Sequence, residues 1–256
     1  MKAIWTGSIG FGLVNIPVKM YSAVEVGSLD FDMLDKKDHA NIKFKRINEN
    51  SGKEVVWENI VKGFKIEDKY VILTDEDFEK ASPAKSKIIE IAEFVDIAKV
   101  DSIYFDTPYY LEPDKSGTKA YALLRDALQK SNKAGLGNFV LRTKETLCLI
   151  KPFDNILLLN KLRYFKEIRP RDSITISAIK SKPAELKMAI ELINQLTDEF
   201  DISKYKDTYS DELMKLIKAK SKGKKLASPK MKVVHSNAQD LMAQLKASIG
   251  NSRKAS

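Results

Sequence analysis

The spacing of apolar residues along this 256-residue chain favours mainly strands first and helices last. Up to about residue 160, apolar side chains mostly alternate over short stretches, as Ile9, Phe11 and Leu13 do, which is the period of half-buried β-strands. Near Lys180–Pro183 the spacing becomes that of amphipathic helices. The pattern therefore predicts an α+β protein with most of its strands first, and the length fits one large domain or one domain with an appendage.

Two further strands and a helix are predicted between residues 41 and 80. In Asn41–Ile47, Ile42 and Phe44 fall on one face of a strand, and a turn follows at Asn48–Gly52. Tyr70–Leu73 is apolar throughout, which is typical of a short buried strand. Thr74 then resembles the N-cap of a helix, because three acidic residues, Asp75, Glu76 and Asp77, follow it and favour a helix N-terminus.

A helix and three strands are predicted in the middle of the chain. Gly117 precedes an amphipathic helix that runs to about Ser131, with an apolar stripe of Ala120, Leu123, Leu124, Ala127 and Leu128. The apolar runs Phe139–Leu141, Thr146–Ile150 and Ile156–Leu159 predict consecutive antiparallel strands.

The C-terminal part is predicted to be helical and then basic. Pro183 suits a first helical turn, and Ser210 is the expected cap of a second helix. Residues 218–232 are rich in Lys, Gly, Ser and Pro without periodicity, which predicts a disordered basic arm. A short amphipathic helix over 237–249 needs a surface to dock on, because so short a helix is unstable alone in water.

The net charge of +9 is unevenly distributed. Residues 115–187 hold 16 basic and 6 acidic side chains, and residues 213–256 hold 11 basic side chains and one acidic. Two positive regions of different character favour a phosphate backbone over a small acidic metabolite as the partner. An ordinary solvated face is the alternative for either block.

Cysteine content and hydropathy exclude several classes of protein. The single cysteine, Cys148, lies in an apolar run, so it is predicted to be a buried free thiol and cannot form an internal disulfide. No run of about 18 apolar residues could span a bilayer. Asn15 and Pro17 interrupt the N-terminus where a signal peptide needs an apolar stretch. We expect a soluble cytoplasmic protein that does not bind membranes.

No catalytic or metal-binding pattern is present in the sequence. The glycines of Gly7–Gly12 do not have the spacing of a nucleotide-binding loop, and we expect them to permit a bend or a close backbone approach. Asp75–Asp77 could bind a cation, but a helix start is the simpler interpretation. The two histidines, His39 and His235, belong to no cluster with metal-ligand spacing. The prediction is a binding protein, not an enzyme, with no cofactor and no metal.

Several long motifs resemble bacterial Ku, the DNA-end-binding protein of non-homologous end joining. They occur in the order and spacing of that family, at Trp5–Lys19, Ile60–Phe64, Tyr70–Phe78, Tyr109–Pro113, Ala120–Leu128, Leu141–Glu145 and Glu167–Arg169. The segment Asp240–Ile249 also resembles a motif near the C-terminus of many bacterial Ku chains.

The resemblance implies a Ku-type β-barrel core with an extended bridge, a helical C-terminal arm and a basic disordered tail. The implied boundaries are 1–182 for the core, including a bridge at about 36–64, then 183–217 for the arm and 218–256 for the tail. It further implies a ring-shaped homodimer that binds double-stranded DNA ends regardless of sequence and recruits a multidomain ATP-dependent DNA ligase. Such a protein would associate with the bacterial nucleoid on DNA damage.

The candidate contact residues follow from this picture. Those expected to contact DNA phosphates are Lys43, Lys45, Arg46, Lys119, Arg125, Lys130, Lys133, Arg142, Lys144, Arg163, Lys166, Arg169 and Arg171, with Lys220, Lys222, Lys224 and Lys225 in the tail. The candidate ligase-docking stripe is Leu241, Met242, Leu245 and Ile249. Helices 183–217 are expected to embrace the partner barrel, with packing on their own barrel as the alternative.

Two other functions fit the composition. A histone-like architectural protein would bind linear and circular duplexes alike through its basic tail. A nuclease or lyase with an unfamiliar site would cleave end-labelled or abasic DNA.

Overall fold

The computed structural model describes residues 1–25, 27, 29–81, 87–142, 144–172, 174–176, 180–224, 244–245 and 248. The chain divides into two compact units, Met1–Pro170 and Arg171–Ser256.

Unit 1 is built around a closed barrel of seven strands. The strands described in this unit are β1 (Trp5–Phe11), β2 (Val14–Ser22), β3 (Lys62–Ile66), β4 (Lys69–Leu73), β5 (Ile88–Asp96), β6 (Phe105–Pro113), β7 (Lys133–Leu141), β8 (Lys144–Phe153) and β9 (Ile156–Leu162). The barrel order is β1-β2-β6-β9-β8-β7-β5, and the parallel pairing of β1 with β5 closes it. The three consecutive antiparallel strands predicted after Gly137 are confirmed as β7, β8 and β9.

Alternate residues of the barrel strands form its core. Ile9, Met20, Leu111 and Leu159 are at most 1% exposed. Cys148 is fully buried among them, and burial raises the pKa of its thiol to about 12. The prediction of a buried free thiol is confirmed.

The N-terminal glycines allow close backbone approach, as the sequence predicted. A Cβ atom on Gly7 would collide with the Lys87 carbonyl oxygen and the Trp5 ring, and one on Gly10 would lie 2.8 Å from an Ile88 methyl group. Gly12 has a φ of +55° in the turn between β1 and β2, a conformation that favours glycine.

A helix packs on one end of the barrel core. Helix α2 (Thr118–Ser131) has the predicted bounds, but its buried residues are Tyr121, Leu124 and Leu128. Leu124, Leu128 and the partly buried Ala120 pack on the core, as predicted. The predicted stripe was wrong at Leu123, which is 72% exposed, and at Ala127, which is also exposed. The reason is that Tyr121 occupies the core side, where its hydroxyl donates to the Leu111 carbonyl and accepts from the Leu157 N–H.

A long connection, residues 23–87, links β2 to β5, and we call it the excursion. From Ala23 to Val61 the described residues have isolated bridges, such as Ile47 with Glu54, and one short 3-10 turn, Trp57–Asn59. The predicted strand at Asn41–Ile47 is therefore wrong, because it lacks the continuous partner strand that a ladder needs.

The excursion continues into a hairpin and a short helix. Strands β3 and β4 pair with each other only, as a two-stranded sheet, among the strands that the structure describes. Tyr70–Leu73 does form a strand, but Tyr70 is 68% exposed and Ile72 52%, so its predicted burial is wrong for the single chain. Helix α1 (Asp75–Ala81) follows. The predicted cap is confirmed, because the Thr74 hydroxyl accepts from the Asp77 N–H and the Asp77 carboxylate accepts from the Thr74 N–H.

Unit 2 contains two described helices of 14 residues, α3 (Pro183–Leu196) and α4 (Thr208–Ser221). Pro183 occupies the first turn of α3, as predicted. The predicted cap of the second helix was wrong by three residues: Asp207 is the N-cap, and its carboxylate accepts from both the N–H and the hydroxyl of Ser210. No described helix is long and apolar enough to cross a membrane.

Candidate nucleic-acid interface

The excursion presents three of the predicted cations on its surface. Lys43, Lys45 and Arg46 lie just before the turn that Asn48 closes by accepting from the N–H groups of Asn50 and Ser51. The Lys45 ammonium is 2.7 Å from the Glu54 carboxylate, but both side chains are more than half exposed, so the pair is weak and can rearrange.

Arg46 is oriented by an aromatic ring. Its guanidinium carbon lies 4.6 Å from the centroid of the Trp57 ring, in cation–π geometry. Because stacking on a ring leaves the N–H groups at the edge of the guanidinium free to donate, this arrangement still allows a phosphate contact.

The cations predicted near α2 differ in what they offer. Lys119 and Lys130 are exposed, and Lys133 has a long 4.0 Å contact with Asp96. The guanidinium of Arg125 already has partners within the protein: it donates to the Asn155 carbonyl at 2.7 Å and pairs with the Asp126 carboxylate at 2.8 Å. The guanidinium of Arg125 therefore holds the β8–β9 turn against α2.

Arg163 also has a structural task. Its guanidinium donates to the backbone carbonyls of Phe105 and Ile103 and lies 3.6 Å from the Asp106 carboxylate. The Lys166 ammonium is 5.9 Å from the centroid of the Tyr164 ring. Arg169 and Arg171 are exposed, and the division between the two units falls between them.

Arg142 and Lys144 lie together at the mouth of the barrel. They line a cavity of about 730 Å³ with Lys87 and Lys161, two cations that the sequence interpretation missed. A usable signal existed for Lys161, because it follows Leu157 and Leu159 at intervals of two and so shares the core-facing side of β9. Lys87 precedes β5, where the sequence gives no such period.

The tail candidates are only partly described. Lys220 lies in the last turn of α4, and Lys222 and Lys224 follow it, all exposed. Lys225 lies outside the described residues, as do Leu241, Met242 and Ile249 of the candidate docking stripe. The remaining member, Leu245, is helical and half-buried.

Comparisons with known proteins agree with one another. The model of the family described as the Ku70/Ku80 beta-barrel domain matches residues 10–188. The chain is 40% identical over 225 residues to a protein of Pseudomonas aeruginosa, covering 86% of this chain and 77% of that one. It is 36% identical to a protein of Coxiella burnetii, covering 99% and 96%, and 40% identical to one of Archaeoglobus fulgidus, covering 96% and 99%. All three are named non-homologous end joining protein Ku.

Proposed function

This chain belongs to the Ku family of non-homologous end joining proteins, and from that premise we propose that it binds the ends of double-stranded DNA without reading their sequence. It does so as a ring-shaped homodimer in double-strand break repair. The structural observation that carries the proposal is the excursion between β2 and β5, which exposes both apolar and cationic side chains.

The exposed apolar residues support a homodimer. Among the residues that the structure describes from Val24 to Phe78, seventeen large apolar or aromatic side chains are exposed in the single chain, including Phe44, Phe64 and Tyr70. A monomeric protein rarely exposes so many in one segment, so the segment needs a covering surface. A second copy of the chain supplies one through a two-fold axis, because each copy then covers the excursion of the other.

The helices of unit 2 support the same assembly. Leu186, Ile190, Ile193 and Leu196 are spaced along one face of α3, and each is about half exposed or more. We assign this face to the barrel of the second copy, as expected for an arm that embraces its partner.

The exposed cations supply the DNA contacts. Phosphate contacts fix a protein on a duplex but carry no sequence information, which suits a protein that must accept any end. We assign this role to Lys43, Lys45, Arg46, Lys119, Lys130, Lys133, Lys166, Arg169 and Arg171, and in the tail to Lys220, Lys222, Lys224 and Lys225. Arg125 and Arg163 can also contact phosphates, because a guanidinium has five N–H donors and their bonds within the protein use only some of them.

The experiment is a gel shift that compares a linear duplex with a relaxed circle of identical sequence. A closed ring reaches a duplex only over an end, so we expect the linear form to be retained at protein concentrations that leave the circle free. A linear duplex blocked at both ends by a bulky protein is the control and should behave like the circle. Equal binding of circle and linear duplex would favour a histone-like binder instead.

We also propose that the terminal segment recruits a multidomain ATP-dependent DNA ligase. The support is the resemblance of Asp240–Ile249 to the C-terminal Ku motif. Replacing Leu241→Asp together with Leu245→Asp is expected to weaken ligase binding about tenfold or more, since each apolar side chain contributes about 1.5–3 kcal/mol when buried. The control, Ala243→Asp with Ala247→Asp, adds the same charge to the opposite face of the predicted helix and should bind normally. Unchanged ligase binding by the Leu variant would exclude this docking site.

The proposed role is one of binding and recruitment, with the chemistry of joining left to the ligase. The protein would act in the cytoplasm and associate with the nucleoid on DNA damage.

A further inference from the structure

The barrel has one filled end and one open end. At the filled end Tyr121 of α2 reaches Leu111 and Leu157. The strand register places the start of β1, the end of β7 and the start of β8 at the opposite end, where the cavity of about 730 Å³ lies.

Cations surround this cavity. Lys87, Arg142, Lys144 and Lys161 line it, and its lining, as far as the structure describes it, includes no Asp or Glu. The four side chains come from the residue before β5, the β7–β8 turn, and strands β8 and β9. They are therefore distant in sequence, and closure of the barrel brings them together.

Two of the lysines occupy core-facing positions. Side chains alternate between the faces of a strand, so Lys144 shares a face with Thr146 and Cys148, which are 5% and 0% exposed. Lys161 likewise shares a face with the buried Leu159. Both lysines thus continue the inner wall of the barrel beyond the point where its apolar filling stops.

The positive charge is only partly neutralised by the described residues. The Lys161 ammonium lies 3.0 Å from the Asp106 carboxylate, and that hydrogen bond is the main cause that lowers the pKa of Asp106. Asp106, Glu145 and Glu167 line an adjoining depression that also includes Lys144 and Lys161. Lys87, Arg142 and Lys144 form no ion pair with any described carboxylate.

The size and walls of the cavity suit a small molecule. Its volume lies within the roughly 300–1,000 Å³ of small-molecule sites. A barrel of about eight strands is wide enough for side chains or one small ligand, which excludes entry of a duplex. Trp5 and Tyr109 add aromatic wall, and the Trp5 indole N–H already donates to the Val140 carbonyl at 3.1 Å. The free polar groups are therefore mainly cationic donors.

We propose that the mouth of the barrel binds a small polyphosphate anion, of the class of tripolyphosphate or a nucleoside triphosphate, through Lys87, Arg142, Lys144 and Lys161. The proposal gives Arg142 and Lys144, which the sequence predicted as DNA contacts, a different anionic partner.

The experiment uses Trp5 as a local probe. The chain has two tryptophans, so Trp57→Phe leaves Trp5 as the only one, and the full-length variant is titrated with tripolyphosphate at constant ionic strength. We expect a saturable change in Trp5 fluorescence. Adding Lys87→Gln with Lys144→Gln should weaken binding about tenfold or more, because charge-assisted hydrogen bonds to the anion are lost.

The matched control is Lys99→Gln with Lys115→Gln, which removes the same charge from exposed positions that do not line the cavity. It should bind tripolyphosphate within about twofold of the parent.

If the Lys87/Lys144 variant does not fold, Arg142→Gln at the exposed turn replaces it, with an expected loss of affinity of about fivefold or more. No saturable change in the parent, or equal weakening by both pairs, would overturn the proposal. Displacement of tripolyphosphate by a 5′-phosphorylated duplex but not by a 5′-hydroxyl duplex would also overturn it, and would show that the mouth takes a terminal phosphate of DNA.

Discussion

Tyr121 joins three elements through one hydroxyl group. It is 4% exposed, it donates to the Leu111 carbonyl of β6, and it accepts from the Leu157 N–H of β9 at 2.7 Å. Burial raises the pKa of Tyr121, so the hydroxyl is protonated and can serve as donor and acceptor at once. A phenylalanine would fill the same space but satisfy neither backbone group.

We therefore expect Tyr121→Phe to lower the free energy of unfolding by about 1–3 kcal/mol, the cost of leaving buried polar groups unpaired. Urea denaturation at one fixed protein concentration measures it, because the proposed dimer would make the stability depend on concentration. Tyr21→Phe is the control: it removes a hydrogen bond to the exposed Glu112 carboxylate and should cost less than about 0.5 kcal/mol. Equal effects of the two variants would contradict a structural role for the buried hydroxyl.

The β3–β4 hairpin illustrates how an element can be apolar and yet exposed. Phe64 and Val71 are directly opposite on its two strands and are 64% and 45% exposed. Lys62 lies with its ammonium 4.5 Å from the centroid of the Phe78 ring, so α1 contributes to the same surface. In our proposal a second copy of the chain covers this hairpin, which explains why the apolar pattern of Tyr70–Leu73 is that of a buried strand.

At the scale of this element we predict that Phe64→Ser with Val71→Ser disrupts the proposed homodimer. Each copy loses two apolar side chains from the interface, worth about 1.5–3 kcal/mol apiece, so the dimer dissociation constant should rise about 100-fold or more. Sedimentation equilibrium measures it. The control, Lys65→Gln with Lys69→Gln, changes the same hairpin without removing apolar side chains and should leave the dimer intact. A dimer that tolerates the Phe64/Val71 variant would place the interface elsewhere.

For the whole molecule, the distribution of charged residues along the chain is more informative than the net charge. Residues 1–212 together carry a net charge of −1, and residues 213–256 carry +10, so the formal excess of the chain comes from its C-terminal part. The folded part nevertheless gathers cations locally, at the excursion, beside α2 and at the barrel mouth, as separate clusters. Local clusters, and not net charge, determine where phosphates can be held.

We predict a steep salt dependence of duplex binding. If a dimer neutralises about 8 phosphates, the logarithm of the binding constant falls with the logarithm of the salt concentration at a slope of about −7. Deleting residues 218–256 should make the slope shallower and weaken binding while the dimer persists. Titrations of a short linear duplex at several salt concentrations give both slopes. A full-length slope shallower than about −2 would contradict binding to the phosphate backbone, and loss of the dimer on deletion would show that the tail belongs to the assembly.

The sequence by itself determined what depends on local spacing. Three short apolar runs predicted β7, β8 and β9. The helical period predicted α2 and α3, and Thr74 followed by acidic residues predicted the start of α1. The apolar run around Cys148 predicted a buried thiol, and the motif blocks predicted the family. All of these depend on neighbours within a few residues or on recognisable order along the chain.

The tertiary structure decided what depends on partners distant in sequence. Leu123 and Tyr121 are both compatible with a helix, and only the packing of α2 on the barrel, with the hydrogen bonds of Tyr121 to β6 and β9, decides which of the two is buried. Lys87 and Lys161 are unremarkable in the sequence, yet closure of the barrel sets them around one cavity with Arg142 and Lys144. Local periodicity states which side chains can share a face, whereas burial and charge clustering depend on what the rest of the fold places against that face.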